Sequence, residues 1–290
     1  MTTIAFIGLG HMGSGMAANL AKAGHDVRAF DLSDAALASA QAAGCLVASN
    51  GADAVADAEV VVTMLPAGAH VRAVYEADVL THAKPDTLLI DCSTIDVATA
   101  RALAEAASAK GLHAVDAPVS GGIAAADAGT LTFMVGGSAA AFERTREVLN
   151  DMGSAVIHAG ANGAGQAAKI CNNMILGATM AATTEAFNLA AALGLDAQAF
   201  FDIASVSSGQ SWSITSYCPV PGVGPASPAD RGYEGGFAAA LMLKDMDLAL
   251  AAAAEAGSAV PVVASAAARY RAMVERGDGG RDFSAVMTQH

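Results

Sequence analysis

The sequence predicts an α/β domain that is followed by an all-helical domain. Up to about residue 160, short apolar segments of strand character alternate with segments of helix character. From residue 164 onward the chain contains only long helical segments and one loop rich in Pro and Gly. We therefore predict two domains, residues 1–163 and 164–290, joined by a long interdomain helix at about 164–192.

Composition and charge narrow the class of protein. The chain has 290 residues, a net charge of −13 and no cluster of Lys and Arg, which argues against nucleic acid or an anionic membrane as a partner. No apolar run is long enough to predict a membrane span. The first residues lead directly into a strand without a targeting leader, so we expect a cytoplasmic protein. The 4 cysteines and 7 histidines lack metal-ligand spacing, so we expect buried free thiols and no metal site.

The first predicted strand, at 3–7, leads into a glycine-rich turn and then a helix. The turn consists of Gly8, Leu9, Gly10, His11, Met12 and Gly13. Gly8 permits a tight turn, Gly10 lets a pyrophosphate approach the backbone, and Gly13 allows the helix to pack closely on the strand. The pyrophosphate would meet the N–H groups at the positive end of that helix. This strand–turn–helix pattern predicts a Rossmann-type dinucleotide-binding domain.

An acidic residue, Asp31, ends the second predicted strand. Its carboxylate can accept hydrogen bonds from the adenosine ribose hydroxyls of a dinucleotide, and its charge would repel the 2′-phosphate of NADP. The next residues, Leu32 and Ser33, offer no arginine to a phosphate. We therefore predict NAD as the cofactor, in preference to NADP.

The later strands end in polar or turn-forming residues, at the edge where open α/β sheets bind ligands. The apolar segment 59–65 leads into Pro66, and the segment 88–94 ends at Thr94. Together with the strands predicted beyond residue 110, they bring the first domain to about seven or eight strands.

A second glycine-rich turn, formed by Ser120, Gly121 and Gly122, precedes a predicted helix. Its backbone N–H groups and the Ser120 hydroxyl could hold a small anion such as a carboxylate. The segment lacks the size of a P-loop, so an ordinary turn is an equal alternative for the isolated motif.

The long helix at the domain junction carries Lys169 and, one turn later, Asn173. Positions i and i+4 share a helix face, so both polar groups point the same way from a mostly apolar helix. Spacing alone favours a solvated surface lysine over a catalytic one. The dinucleotide-binding pattern and the anion-binding turn that precede this helix reverse that balance.

Together these motifs make the chain resemble the β-hydroxyacid dehydrogenase family over essentially its whole length. The segments that carry the likeness are 8–13, 116–122, 165–173 and 244–245, with more specific matches at 207–212, 219–223, 232–237 and 282–284. The resemblance implies NAD-dependent oxidation of a short 3-hydroxyacid, with 3-hydroxyisobutyrate of valine degradation as the expected substrate. It also implies a homodimer or homotetramer.

The resemblance assigns roles to individual residues. Lys169 would be the general acid/base, and Asn173 would hydrogen-bond the substrate. The substrate carboxylate would be held by Ser120, Gly121 and Gly122. The cofactor would be contacted by the glycine-rich turn and by Asp31, Leu65, Pro66, His70, Thr94 and Lys244. Further candidates for the pocket wall are Trp212, Tyr217, Phe237 and Asp245. His11 and His70 stand where relatives often carry Asn, which leaves the side-chain contact of His70 open.

A lysine has an ordinary pKa of about 10.4 and is a poor base at neutral pH. We expect burial and the cationic nicotinamide to lower the pKa of Lys169. Three alternatives remain: a reductase of tartronate or succinic semialdehyde, a dehydrogenase of another short 3-hydroxyacid such as L-serine, and a non-catalytic NAD-binding module. The combination of Lys169, Asn173 and the anion-binding turn argues against the last.

Overall fold

The structure is a computed structural model of the chain and describes residues 1–288. The chain forms two compact units, Met1–Lys169 and a second unit that begins at Ile170. The division falls within the long helix at the domain junction, and the predicted boundary between residues 163 and 164 stays a prediction.

The first unit contains a nine-stranded sheet. Its strands are β1 (Thr3–Ile7), β2 (Asp26–Phe30), β3 (Leu46–Val47), β4 (Val60–Thr63), β5 (Leu88–Asp91), β6 (His113–Asp116), β7 (Val119–Ser120), β8 (Leu131–Gly136) and β9 (Gly153–Gly160). The order β3-β2-β1-β4-β5-β6 is parallel throughout. Strand β8 is antiparallel to β6 and β7 and parallel to β9. The prediction of seven or eight strands was wrong because it missed β7, which is only two residues long and leads into a glycine-rich turn.

Helices cover the sheet and connect its strands. In the first unit they are α1 (Gly13–Lys22), α2 (Asp34–Ala42), α3 (Gly51–Val55), α4 (Gly68–Val74), α5 (Leu80–His82), α6 (Val97–Ser108), α7 (Gly122–Ala128), α8 (Ala139–Asn150) and the start of α9 (Ala164–Ala192). Short polar side chains cap the first turns of α2, α3, α6 and α8 at Ser33, Asn50, Asp96 and Ser138. Each cap satisfies a backbone N–H that has no partner within its helix, which fixes where these helices begin.

Two apolar layers form the core of the first unit, one on each face of the sheet. Because side chains alternate along a strand, Ile4 and Phe6 of β1 enter one layer while Ala5 and Ile7 enter the other. A parallel sheet buried on both faces therefore needs the continuous apolar runs that the sequence shows.

The second unit is helical, which confirms the predicted fold class. It contains the rest of α9, then α10 (Ala197–Ala204), α11 (Trp212–Thr215), α12 (Ala239–Glu255) and α13 (Pro261–Met273). It also contains 3₁₀ turns at Pro228–Arg231 and Phe283–Thr288 and a π-helical turn at Val274–Asp278. The first unit has a π-helical turn of its own at Tyr75–Val79. Among residues 1–288, no helix is long and apolar enough to cross a lipid bilayer.

All four cysteines are free thiols, and the prediction that they are buried is wrong for Cys171. The buried face of α9 includes Lys169, Ile170 and Asn173. Cys171 and Ile175, one turn apart, lie on the exposed face instead.

Candidate active site

The glycine-rich turn after β1 has the shape that a dinucleotide needs. Gly8 adopts a φ of +99°, and a side chain on Gly13 would collide with the carbonyl oxygen of Gly8. A Cβ on Gly10, in contrast, would meet no atom within 4 Å. The backbone over Gly10 is therefore open to a pyrophosphate, at the positive end of α1. Of the other residues in the turn, Leu9 is buried and His11 is exposed, while Met12 packs on the core.

Asp31 joins the end of β2 to this turn. Its carboxylate accepts hydrogen bonds from the backbone N–H of Leu9 (2.7 Å) and of Ser33 (2.8 Å). A carboxylate has about four acceptor positions, so ribose hydroxyls can still bind. These residues fit the adenosine half of a dinucleotide.

The strand order reverses direction between β1 and β4, and open α/β sheets bind ligands at such a point. Leu65 and Pro66 follow β4, His70 lies in the first turn of α4, and Thr94 follows β5. The Leu65 N–H donates to Ser93 Oγ (2.8 Å), which ties the loops after β4 and β5 together. The predicted cofactor residues of the first unit thus lie after the carboxyl ends of neighbouring strands.

The segment Ser120 to Gly122 leads from β7 into α7. Gly121 and Gly122 adopt φ values of +135° and +72° and are exposed. At the other end of α7, the Asn19 side chain of α1 donates to the Ala126 carbonyl oxygen (2.7 Å). This hydrogen bond joins α7, the helix that the turn precedes, to α1, the helix that follows the dinucleotide turn.

Lys169 and Asn173 lie one turn apart on α9. Lys169 is 8% exposed and Asn173 is 1% exposed, so the interpretation of Lys169 as a solvated surface charge is wrong. The Asn173 Nδ2 donates to Asp245 Oδ2 (2.6 Å), and the Asn172 Nδ2 donates to Asn173 Oδ1 (3.0 Å). Lys244 Nζ lies 3.4 Å from Asp245 Oδ1. Asp245, which we predicted only as a pocket-wall residue, thus orients the Asn173 amide.

The predicted pocket-wall aromatic residues form one cluster in the second unit. Trp212 stacks on Tyr217 with ring centroids 4.7 Å apart, and both Tyr217 and Phe237 pack against Phe283. Asp282 accepts hydrogen bonds from the Tyr217 hydroxyl (2.9 Å) and the Phe237 N–H (2.8 Å). Burial raises the pKa of Asp282 and that of Tyr217. Asp282 and Phe283 were noticed in the sequence only as part of a family likeness.

A row of buried polar residues ends the three central strands, and sequence reasoning gave it no role. Thr63, Asp91 and Asp116 are neighbours in the sheet register. Thr63 Oγ1 donates to Asp91 Oδ1 (2.8 Å), while Asp91 Oδ2 has no hydrogen-bond partner. Asp91 and Asp116 also line a small cavity with Tyr75 and Asn162. The signal in the sequence that could have indicated this row was an acidic residue at the end of each of two buried strands, Asp91 and Asp116.

We expect Asp91 to make stability depend on pH. Burial, with a smaller effect of nearby Asp116, raises its pKa from 3.8 to about 6. Between these values the unfolded chain has lost the proton while the folded protein keeps it, so folding stability falls as pH rises through this window. Relative to Asp91→Asn, the wild-type free energy of unfolding should fall by about 1 kcal/mol between pH 5 and pH 7 in urea titrations. Parallel pH profiles for the two proteins would contradict this.

The fold and the site together define an NAD-dependent oxidoreductase. Residues 3–160 match the family model described as the NAD binding domain of 6-phosphogluconate dehydrogenase. Residues 163–289 match a second family model, described as the NAD-binding of NADP-dependent 3-hydroxyisobutyrate dehydrogenase. The chain belongs to the 3-hydroxyisobutyrate dehydrogenase group of the β-hydroxyacid dehydrogenase family. The predicted family and NAD as the cofactor are thereby confirmed, and the preference for NAD over NADP stays a prediction.

Individual relatives resemble the chain over nearly its full length. An NAD-dependent L-serine dehydrogenase of Pseudomonas aeruginosa is 48% identical over 99% of this chain and 97% of that protein. A probable 3-hydroxyisobutyrate dehydrogenase of Mycobacterium tuberculosis is 49% identical over 99% of this chain and 97% of that protein. The solved structure of Mycobacterium tuberculosis 3-hydroxyisobutyrate dehydrogenase with L-serine has a TM-score of 0.95 and 49% identity, and the match covers 99% of this chain and 98% of that one.

Proposed function

We propose that this chain oxidises 3-hydroxyisobutyrate to methylmalonate semialdehyde with NAD. The observation that carries the proposal is a buried lysine, Lys169, on a helix that follows an NAD-binding sheet, with Asn173 on the same helix face. Relatives named for this activity support the choice of substrate. L-Serine is the second candidate, because one relative is named for its dehydrogenation and one solved relative contains it.

The proposed chemistry divides between three groups of this chain. The backbone N–H groups of Gly121 and Gly122, with the Ser120 hydroxyl, hold the substrate carboxylate. The uncharged amine of Lys169 accepts the hydroxyl proton as the carbon bearing that hydroxyl loses a hydride. NAD, when bound, supplies the acceptor for that hydride.

Asn173 holds the substrate hydroxyl in this scheme. A carboxylate only accepts hydrogen bonds, so Asp245 requires the amide nitrogen of Asn173 on its side. The second hydrogen of that nitrogen can then be donated to the substrate oxygen. Leu65, Pro66, His70, Thr94 and Lys244 stay predicted cofactor contacts, and Trp212, Tyr217 and Phe237 stay predicted wall residues.

A kinetic panel followed at 340 nm tests the proposal. The substrates are both enantiomers of 3-hydroxyisobutyrate, L-serine, D-serine and 3-hydroxypropionate, each with NAD and with NADP. We expect the highest kcat/KM with one enantiomer of 3-hydroxyisobutyrate and NAD. A higher value with L-serine would favour the second candidate, and no reduction with any hydroxyacid would overturn the proposal.

We expect Asp31 to set the preference for NAD over NADP. Asp31→Asn keeps the shape of the side chain but removes the charge that repels a 2′-phosphate and strengthens hydrogen bonds to ribose hydroxyls. Since hydrogen bonds to a charged group contribute about 1.5 kcal/mol or more, the ratio of kcat/KM with NAD to that with NADP should fall at least about tenfold. Asp34→Asn, at an exposed carboxylate of α2, is the control and should leave the ratio unchanged. An unchanged ratio in the Asp31 variant would refute this role.

We also propose that the protein is a homodimer or homotetramer. The outward side of α9 presents large apolar side chains, including Ile175 (67% exposed) and Leu189 (60% exposed). Exposed apolar surface favours association. Light scattering during gel filtration tests this, and a monomer at micromolar concentration would contradict it. The cytoplasmic location stays a prediction.

A further inference from the structure

Gln166 is a fully buried amide in the first turn of α9, with 0% of its surface exposed. Its Oε1 accepts a hydrogen bond from the Ile95 N–H (3.0 Å), and its Nε2 donates to the Ser93 carbonyl oxygen (2.8 Å). We name these two bonds the Gln166 bridge. Leaving either buried backbone group without a partner would cost about 1–3 kcal/mol, so the bridge holds its geometry strongly.

The bridge reaches the loop that carries a predicted cofactor contact. Ser93 and Ile95 flank Thr94, and the Ser93 hydroxyl also accepts from the Leu65 N–H (2.8 Å). The loops after β4 and β5 are therefore linked to each other and, through Gln166, to α9.

On the helix, Gln166 precedes Lys169 by three positions, which places both side chains on one face. The next turn after the bridge thus carries the proposed acid/base. A displacement of this turn would move the Lys169 amine relative to Thr94.

A second set of contacts fixes the backbone of the same turn. Asp116, at the end of β6, accepts hydrogen bonds from the N–H groups of Gly163 (2.6 Å) and Gln166 (2.8 Å). Burial raises the pKa of Asp116, and these two donors oppose that rise. A Cβ on Gly165 would collide with the Met134 carbonyl oxygen, so the turn lies directly against the sheet. These contacts hold the start of the helix against the sheet.

We propose that Gln166 is a positioning residue for the oxidation, setting the distance between the Lys169 amine and the Thr94 loop. This inference rests on the proposed function, because it takes Lys169 as the proton acceptor. Gln166 itself touches no reacting atom in this scheme. Its effect passes through the two loops and the helix turn that it joins.

The test compares Gln166→Met with Gln198→Met. Met has a similar volume but makes neither bond of the bridge, and Gln198 is an exposed glutamine of α10 whose Nε2 donates to Asp202 (2.8 Å). A displacement of about 1 Å can cost about 100-fold in rate, so we expect kcat of the Gln166 variant to fall about 10- to 100-fold. KM for the hydroxyacid and Kd for NADH should change less than about threefold, since the anion-binding turn at 120–122, the dinucleotide turn at 8–13 and Asp31 lie outside the bridge. Gln198→Met should match the wild type.

A second readout does not depend on activity. Acetic anhydride labels lysine amines, and mass spectrometry gives the labelling rate of Lys169 relative to the exposed Lys110. Lys169 is 8% exposed, and loss of the bridge should raise its relative labelling several-fold in Gln166→Met but not in Gln198→Met. If Gln166 only stabilises the fold, Gln166→Met should have a lower Tm, but its kcat and its Lys169 labelling should be unchanged at temperatures below the unfolding transition. That result would overturn the inference.

Gln166→Glu keeps the test decisive if the Met variant does not fold. At a pH at which it is ionised, a glutamate retains the acceptor for the Ile95 N–H and has no donor for the Ser93 carbonyl oxygen, so kcat should again fall while NADH binding persists. Wild-type kcat in a folded Glu variant, with wild-type labelling, would refute the inference. Absence of hydroxyacid oxidation by the wild type would instead refute the proposed function, and the labelling comparison would still decide whether the bridge sets the position of Lys169.

Discussion

Lys169→Ala should lower kcat at least about 100-fold while changing NAD binding little. General acid/base groups contribute about 10²- to 10⁴-fold to a rate, and alanine offers no atom to take the hydroxyl proton. The dinucleotide turn and Asp31 remain intact in this variant, so the cofactor keeps its contacts. Steady-state rates at 340 nm and a fluorescence titration with NADH measure the two quantities separately.

Two controls sharpen the Lys169 experiment. Lys110→Ala removes an exposed lysine amine and should keep the wild-type kcat. A small primary amine added to the Lys169→Ala protein should restore part of the lost rate, because it can take the same proton from the vacated space. Near-normal kcat in the alanine variant would remove Lys169 from the mechanism, whatever the amine does.

The features that the sequence predicted are local ones. The strand, the glycine-rich turn and α1 lie within about thirty residues, and their order alone dictates where a pyrophosphate can approach. Asp31 was predictable for the same reason, since it ends the next strand. Lys169 and Asn173 share a face of one helix, and helix geometry fixes that relation without reference to the rest of the chain.

The features that the sequence did not predict depend on how distant segments meet. Asp116 accepts a hydrogen bond from the N–H of Gly163, which lies 47 positions later in the chain and directly before α9. Gln166 finds its partners at Ser93 and Ile95, more than 70 positions earlier. Such pairs follow from the sheet register, in which Asp91 and Asp116 become neighbours. A single sequence shows that an acidic residue ends a strand, but it does not show which distant group will hydrogen-bond to that residue.

The same limit explains the error at Cys171. Composition favours burial of a free cysteine, since cysteine is among the most buried residue types. The side of α9 that is covered is decided by packing around Lys169 and Asn173, and Cys171 lies on the other side. Burial of one thiol therefore could not be inferred from residue type.

Gly13→Ala should both destabilise the protein and abolish tight NAD binding. The added Cβ would collide with the Gly8 carbonyl oxygen and lie 3.2 Å from the Phe6 ring. The first of these is backbone, so no side-chain rotation can relieve it, and α1 must move away from β1. Overpacking of this kind costs about 1–3 kcal/mol or more, and the movement displaces the N–H groups that bind the pyrophosphate. Urea unfolding and NADH titration measure the two losses.

Gly10→Ala separates these two effects. A Cβ at Gly10 would meet no protein atom within 4 Å, and its φ is not positive, so the variant should be as stable as the wild type within about 1 kcal/mol. If the pyrophosphate approaches the backbone at Gly10, the same methyl group occupies its space, and NADH affinity should fall at least about tenfold. Full NADH affinity in Gly10→Ala would show that the cofactor does not pass there. Wild-type stability in Gly13→Ala would show that α1 does not rely on close contact with Gly8.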